Sequence, residues 1–280
     1  MKNAKFNARR MVLTLLIGVF LLIDVYPVIW LIMSSFKTVG EINSRPMYEL
    51  PRTLYFENYV NAVKLTNMGM LFKNTVIVSM LSVMVCLVLS AMASFGVTKL
   101  QWRGAKIVSN FFRLGMFVPT FVLLLPQFVM FKEMHLLNTL TVLIVIFSAG
   151  VSLPIYLLNG FYRYLPNAIL EASVIDGCNI YKSFWHIVIP MSLNGYVTVI
   201  LLTFFGIWND LLITRTFTSS TELRLIQTGL AAFSGEWGEK DWGGIFAAVT
   251  IAVVPTITLY LVMNRKIVDG LSAGALKGES

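Results

Sequence analysis

Six long apolar runs constrain this chain more than any motif in it. They cover approximately residues 11–33, 74–97, 108–131, 140–158, 197–213 and 245–262, and the fifth, the shortest, has room to begin near Leu193. A helix rises about 1.5 Å per residue and a bilayer core is about 30 Å thick, so each run is long enough, or nearly so, to cross a membrane. A membrane β-barrel would show short segments alternating apolar and polar residues. These runs are continuously apolar, and a helix in lipid satisfies its own backbone hydrogen bonds. The expected fold is therefore all-α, a polytopic membrane protein with six transmembrane helices. Composition agrees: 57% of residues are hydrophobic and 13% charged, where a soluble domain carries about 25% charged residues. That excludes a disordered chain and argues strongly against a soluble enzyme.

The net charge is +8, from 22 Lys and Arg against 14 Asp and Glu. In a soluble protein such an excess suggests nucleic acid. Here the cations sit between apolar runs, so they report topology and no nucleic-acid partner is expected. With the N-terminus in the cytoplasm, the inner segments hold 12 Lys and Arg and the outer ones 9, and Lys2, Lys5, Arg9 and Arg10 cluster before the first run. The positive-inside rule then puts both termini in the cytoplasm. The start also resembles a signal peptide, but Asp24-Val25-Tyr26-Pro27 follows where a small-x-small cleavage site would stand. A retained spanning helix is favoured.

Cys86 falls in an apolar run and Cys178 in a loop, and His135 and His186 are far apart. Neither a disulfide framework nor a metal site is expected. Pro27, Pro119, Pro126, Pro154 and Pro255 lie within runs. Each removes a helical hydrogen bond. Membrane helices tolerate this where neighbours or water re-satisfy the backbone. The kinks either line a pathway or carry no function. No internal repeat is visible.

The most informative stretch is residues 163–191, RYLPNAILEASVIDGCNIYKSFWHIVIPM. Pro166 suits a first helical turn. The helix is expected over 168–176 and to stop at Gly177, where a left-handed backbone carries no side-chain penalty. Asn179 can cap a second helix, expected to reach about Ile189 before Pro190 interrupts it. Ala172 and Ser173 are small, Glu171 and Asp176 offer acceptors to basic groups, and Ile169, Leu170, Val174 and Ile175 are too many for a freely solvated helix. Either the piece rests on headgroups or it docks on a protein. Its carboxylates disfavour a negatively charged inner leaflet.

Glu171-Ala172-Ser173, Asp176-Gly177, Ile187 and Pro190 together resemble the EAA-type loop of permease subunits of binding-protein-dependent ABC importers. Ser34-Ser35-Phe36-Lys37, Phe56-Glu57-Asn58-Tyr59, Trp208-Asn209-Asp210 and the tail from Gly270 to Gly278 resemble the carbohydrate-uptake branch, in the same order along the chain. Ser173 stands where the motif has alanine, and Val188-Ile189 precede Pro190 where it prefers leucine.

The resemblance implies a coupling loop between helices 4 and 5. It divides the chain into residues 1–69 (tail, first helix, outer loop), 70–265 (a five-helix core) and 266–280 (cytoplasmic tail). Carried over residue by residue, Glu171, Ala172, Ser173, Asp176, Gly177, Ile187 and Pro190 would form the contact with a cytoplasmic ABC ATPase dimer. ATP and magnesium would belong to that partner. This chain carries no cofactor and no G-x-x-x-x-G-K-[ST] phosphate loop, so it is not expected to be an enzyme. ATPase closure would move the loop and swing the kinked spans, since ATP biases a two-state element through its differential affinity.

Further implied partners are a second permease subunit in a heterodimer, an extracytoplasmic solute-binding protein, a sugar substrate and membrane lipid, all at a bacterial cytoplasmic membrane. The outer loop 34–73 either meets the binding protein or is merely solvated. Phe233, Trp237 and Trp242 suit a sugar site, although an aromatic belt explains the tryptophans equally. Asp24 either lines the pathway or pairs with a partner subunit. Trp208, Asn209 and Asp210 offer an aromatic face and polar groups to a sugar, or an interfacial anchor. An ion-coupled secondary transporter is the alternative, but Asp24 is the one clear intramembrane relay group. An intramembrane enzyme using Glu171 and Asp176 lacks a visible pocket.

Overall fold

The computed structural model describes the backbone of residues 8–237 and 241–275 and the side chains of 11–233 and 241–263. The basic residues Lys2 and Lys5, the Trp237 side chain and the tail 276–280 lie outside the described residues. Among the described residues there are helices and connections but no strand. In chain order the helices are α1 (Ala8–Ser34), α2 (Val39–Ser44), α3 (Glu57–Leu65), α4 (Met68–Thr98), α5 (Ala105–Gly115), α6 (Thr120–Glu133), α7 (Leu140–Ser148) and α8 (Ser152–Tyr164). Then come α9 (Asn167–Ile175), α10 (Ile180–Ser183), a π-helical turn (Phe184–Val188), α11 (Ile189–Met191), α12 (Leu193–Trp208), α13 (Leu212–Phe217), α14 (Ile226–Trp237) and α15 (Trp242–Ala275).

Four segments are each long and apolar enough to cross a membrane: Met11–Ser34, Met68–Thr98, Leu140–Tyr164 (with a short break at 149–151) and Trp242–Met263. Two further pairs meet the test jointly but are sharply bent, α5 with α6 at 97° and α10–α11 with α12 at 78°, so the described spans number four, or up to six if each bent pair is one span. The third apolar run is therefore not the single helix expected. Pro119 caps α6 in an extended conformation (φ −65°, ψ 132°), and a residue preceding proline is pushed out of the helical region. Pro27, Pro126 and Pro255 by contrast stay inside their helices. The fifth run also differs. Its helix begins at Leu193 and ends at Trp208, short of the expected residue 213.

The described residues form two compact units. One comprises those within 1–68 and 230–254, the other those within 69–229 and 255–280. In the first unit the Asn58 amide is buried and donates to the carbonyls of Ser35 and Lys37, both at 2.8 Å. Tyr59 OH meets Ser35 Oγ at 2.7 Å. The two short motifs at 34–37 and 56–59 are thus halves of one knot, which ends α1 and starts α3. Lys37 Nζ and Trp30 Nε1 both donate to the Met47 carbonyl, at 2.9 and 3.0 Å.

In the second unit α4 buries a stripe of small residues, Thr75, Ser79, Ser82, Cys86, Ser90 and Ser94, as close helix contacts in membranes favour. At one end of this unit Asn74 Nδ2 donates to the Glu222 carbonyl at 2.7 Å, and the Ile226 N–H donates to Thr75 Oγ1 at 2.9 Å. Asn138 closes the same end by accepting the N–H groups of Ser219 and Ser220 at 3.0 and 2.9 Å. At the opposite end of α4 lies the stretch around α9.

Candidate coupling loop and pathway residues

The α9–α10 elbow follows local rules. Pro166 is the N-cap of α9, one position earlier than expected, and Asp176 is its C-cap. Gly177 turns left-handed at φ 82°. Its N–H donates to the Val174 carbonyl at 3.0 Å, and that of Cys178 donates to the Ser173 carbonyl at 2.9 Å. These two bonds make a Schellman cap, which closes the last turn of α9. Asn179 Oδ1 then accepts the Lys182 N–H at 2.9 Å and starts α10.

Pro190 does not interrupt the second helix. The backbone widens into the π turn Phe184–Val188, Pro190 sits in the first turn of α11, and the break falls at Ser192. Proline lacks the N–H that an α-helical ladder needs at that position. The wider i→i+5 register just before it accommodates that gap: the Ile189 N–H donates to the Phe184 carbonyl.

The elbow has an anchored side and an open side. Phe184 and Val188 are buried in one core with Ala91 and Phe95 of α4, Leu158 and Tyr162 of α8, and Tyr196 and Val199 of α12, with Leu170 packed against it. The Tyr162 and Tyr196 hydroxyls hydrogen-bond one another inside that core. Ser173 also faces inward. It is buried, donates to the Leu170 carbonyl at 2.7 Å and meets Ser183 Oγ at 2.8 Å. The hydroxyl that departs from the motif thus pins α9 to α10 instead of joining the exposed face. On the open side stand Glu171, Ala172, Asp176 and Gly177, with Val174 at 63% exposure and Ile175 at 86%. Ile187 is half-buried and Pro190 exposed. Apolar side chains so open beside two carboxylates form a surface suited to a protein with apolar and basic groups.

The candidate pathway residues stand in different local settings. Asp24 is exposed on α1, and not one residue of that helix's apolar window is buried within the chain. Trp208 is 2% exposed and packs edge-on against Phe72 with ring centroids 5.8 Å apart. Asn209 is exposed and accepts from Gln227 Nε2 at 3.4 Å. Asp210 caps α13: its Oδ1 accepts the Thr214 N–H at 2.8 Å and the Thr214 hydroxyl at 3.0 Å. Phe233 is buried and Trp242 exposed. What the sequence did not reveal is the anchoring set, Phe184, Val188, Tyr162, Tyr196 and Lys99. Each looks like an ordinary apolar or membrane-edge residue until its distant neighbour is known.

Residues 87–272 match the family described as the binding-protein-dependent transport system inner membrane component. The chain belongs to this family. It is a transport-system permease, a multi-pass membrane protein, and the importer reading holds over the ion-coupled one. The permease is 32% identical over 257 residues, 91% of this chain and 85% of the other, to the diacetylchitobiose uptake system permease protein NgcG of Streptomyces coelicolor. It is 30% identical to the trehalose/maltose transport system permease protein MalG of Thermococcus litoralis, covering 95% of this chain and 96% of that protein. Its fold matches a bacterial ABC transporter involved in the import of the acidic polysaccharide alginate, with a TM-score of 0.83, 18% identity and coverage of 95% and 98% of the two chains.

Proposed function

We propose that this chain is one of two permease subunits of an ATP-driven sugar importer and that the α9–Gly177–α10 elbow is its contact with a cytoplasmic ATPase. The observation that carries the reading is the elbow's division of labour. Its inner side is locked into the core shared by α4, α8 and α12, and its outer side presents Glu171, Ala172, Asp176 and exposed apolar residues. A rigid lever with an open grip transmits displacement; a mobile loop would absorb it. ATP and magnesium act on the ATPase. A second permease laid along α1 covers its bare apolar face and gives Asp24 a polar neighbour, since an unpaired carboxylate in lipid is costly. A solute-binding protein delivers the sugar to the end opposite the elbow. Relatives whose names specify diacetylchitobiose and trehalose/maltose support a small oligosaccharide as substrate.

The test is uptake of labelled chito-, malto- and trehalose-type disaccharides by cells carrying the whole importer. Gly177→Asp is expected to abolish uptake of the transported sugar while the chain still reaches the membrane in normal amount. Normal uptake by that variant would refute the coupling role.

A further inference from the structure

Lys99 follows α4 directly, and its N–H still donates to the Phe95 carbonyl at 2.9 Å. Its side chain then turns across the end of the unit. Nζ donates to the Leu165 carbonyl at 2.6 Å and to Asn167 Oδ1 at 2.9 Å. Leu165 is the C-cap of α8, and Asn167 is the first residue of α9. One ammonium thus joins the ends of α4 and α8 to the start of the elbow.

The acceptors suit a cation. A helix C-terminal carbonyl lies at the negative end of the helix dipole, and hydrogen bonds from a charged donor are about twice as strong as neutral ones. Among the described residues Lys99 has no ion-pair partner. Its stem is half-buried, and burial pushes its ammonium below the ordinary lysine range. A lysine present only to reach headgroups would keep its charge in water. The segment behind it is fixed too, because Trp102 Nε1 donates to the Gly96 carbonyl at 2.9 Å and folds the chain back on α4. Between α8 and α9 the backbone at Leu165 and Pro166 is extended (ψ 122° and 129°). At that connection α9 has no helical continuity with α8.

We propose that Lys99 is a positioning residue that sets the stance of α9 relative to α4 and α8. Its consequence for transport rests on the docking reading above; the positioning itself does not.

The experiment uses the assembled importer in lipid nanodiscs, with spin labels at Met92→Cys on α4 and Ala168→Cys on α9, both exposed sites and neither on the proposed docking face, in a Cys178→Ser background. The reference complex is expected to give one narrow inter-label distance. Lys99→Met, which keeps the stem and loses the donors, broadens the distribution about twofold as α9 samples open positions. Lys99→Arg restores the narrow peak. Asn167→Ala, which removes one acceptor, broadens it less, and adding it to Lys99→Met broadens it no further. A Lys99→Met distribution as narrow as the reference, or broadening by the two substitutions that adds up, would overturn the proposal. If Lys99→Met does not assemble, Asn167→Ala and Lys99→Arg carry the decision alone, an unchanged peak in the first or a broadened one in the second counting against it. The two readings fail separately. A broadened Lys99→Met distance with normal uptake by Gly177→Asp sinks the docking role alone. An unchanged distance with a transport-dead Gly177→Asp sinks the positioning role alone.

Discussion

Gly177 and Gly243 are both constrained, for different reasons. Around Gly177 there is open space for a Cβ, so the obstacle is the backbone alone, held at φ 82°. A side chain in that region costs about 1–2 kcal/mol, enough to loosen the elbow without unfolding the protein. At Gly243 the obstacle is a neighbour. A Cβ there would stand 2.5 Å from Asn58 Nδ2, the group that bonds Ser35 and Lys37. Gly243→Ala is expected to dislodge that amide and to destabilise the knot by about 2 kcal/mol, the cost of a buried group losing its partners. Faster proteolysis within residues 38–57 would register the loss; unchanged proteolysis would show that Asn58 has other room. The two effects are not equally visible in the sequence. Gly177 is legible because its role is local: a helix stop two residues before an asparagine cap. Gly243 is not, because the asparagine it serves lies 185 positions away in the chain.

Among elements, α2 shows how a short helix outside the apolar spans is held. Thr38 and Glu41 form a reciprocal cap, and Glu41 also accepts the Arg52 N–H at 3.0 Å, which ties the loop back to the helix. The Arg52 and Thr38 backbone N–H groups hold the Glu41 carboxyl below its ordinary value of 4.5. A depressed carboxyl contributes stability above its unfolded value, and that contribution is lost as pH falls through the lower folded one. Protease resistance of residues 38–57 is therefore expected to be flat above pH 4.5 and to fall below it. Glu41→Gln should remove that dependence, and a dependence that persists in the variant would assign it to another group. At this scale the apolar runs predict that helices exist and roughly where, because lipid demands continuous hydrophobicity. They miss the breaks at 116–119 and 149–151 and the π turn before Pro190. A hydropathy count registers side chains, whereas a break is a change in backbone hydrogen-bond register. Pro119 and Pro190 both read as kinks in the sequence. One starts a new helix after a break and the other is absorbed by a wider turn, and the difference lies in packing: Phe184 and Val188 hold the π turn in the core.

For the whole molecule, the two faces of the elbow make one physical claim. The buried face packs Phe184, Val188 and Leu170 against α4, α8 and α12; in the proposed coupling role the exposed Glu171, Ala172, Val174 and Ile175 meet the ATPase. The family's character was legible from the loop because its residues are contiguous. The pathway was not, because Asp24, Trp208 and Asp210 lie in three different settings: an open helix face, a buried aromatic contact and a helix cap. The most direct measurement is thiol cross-linking in the assembled importer, with Ala172→Cys in a Cys178→Ser background and Thr221→Cys as the control at the opposite end of the unit. Ala172→Cys is expected to link to the ATPase subunit, with a yield that ATP changes, and Thr221→Cys to give no such product. An ATPase link from position 221, with none from position 172, would contradict it.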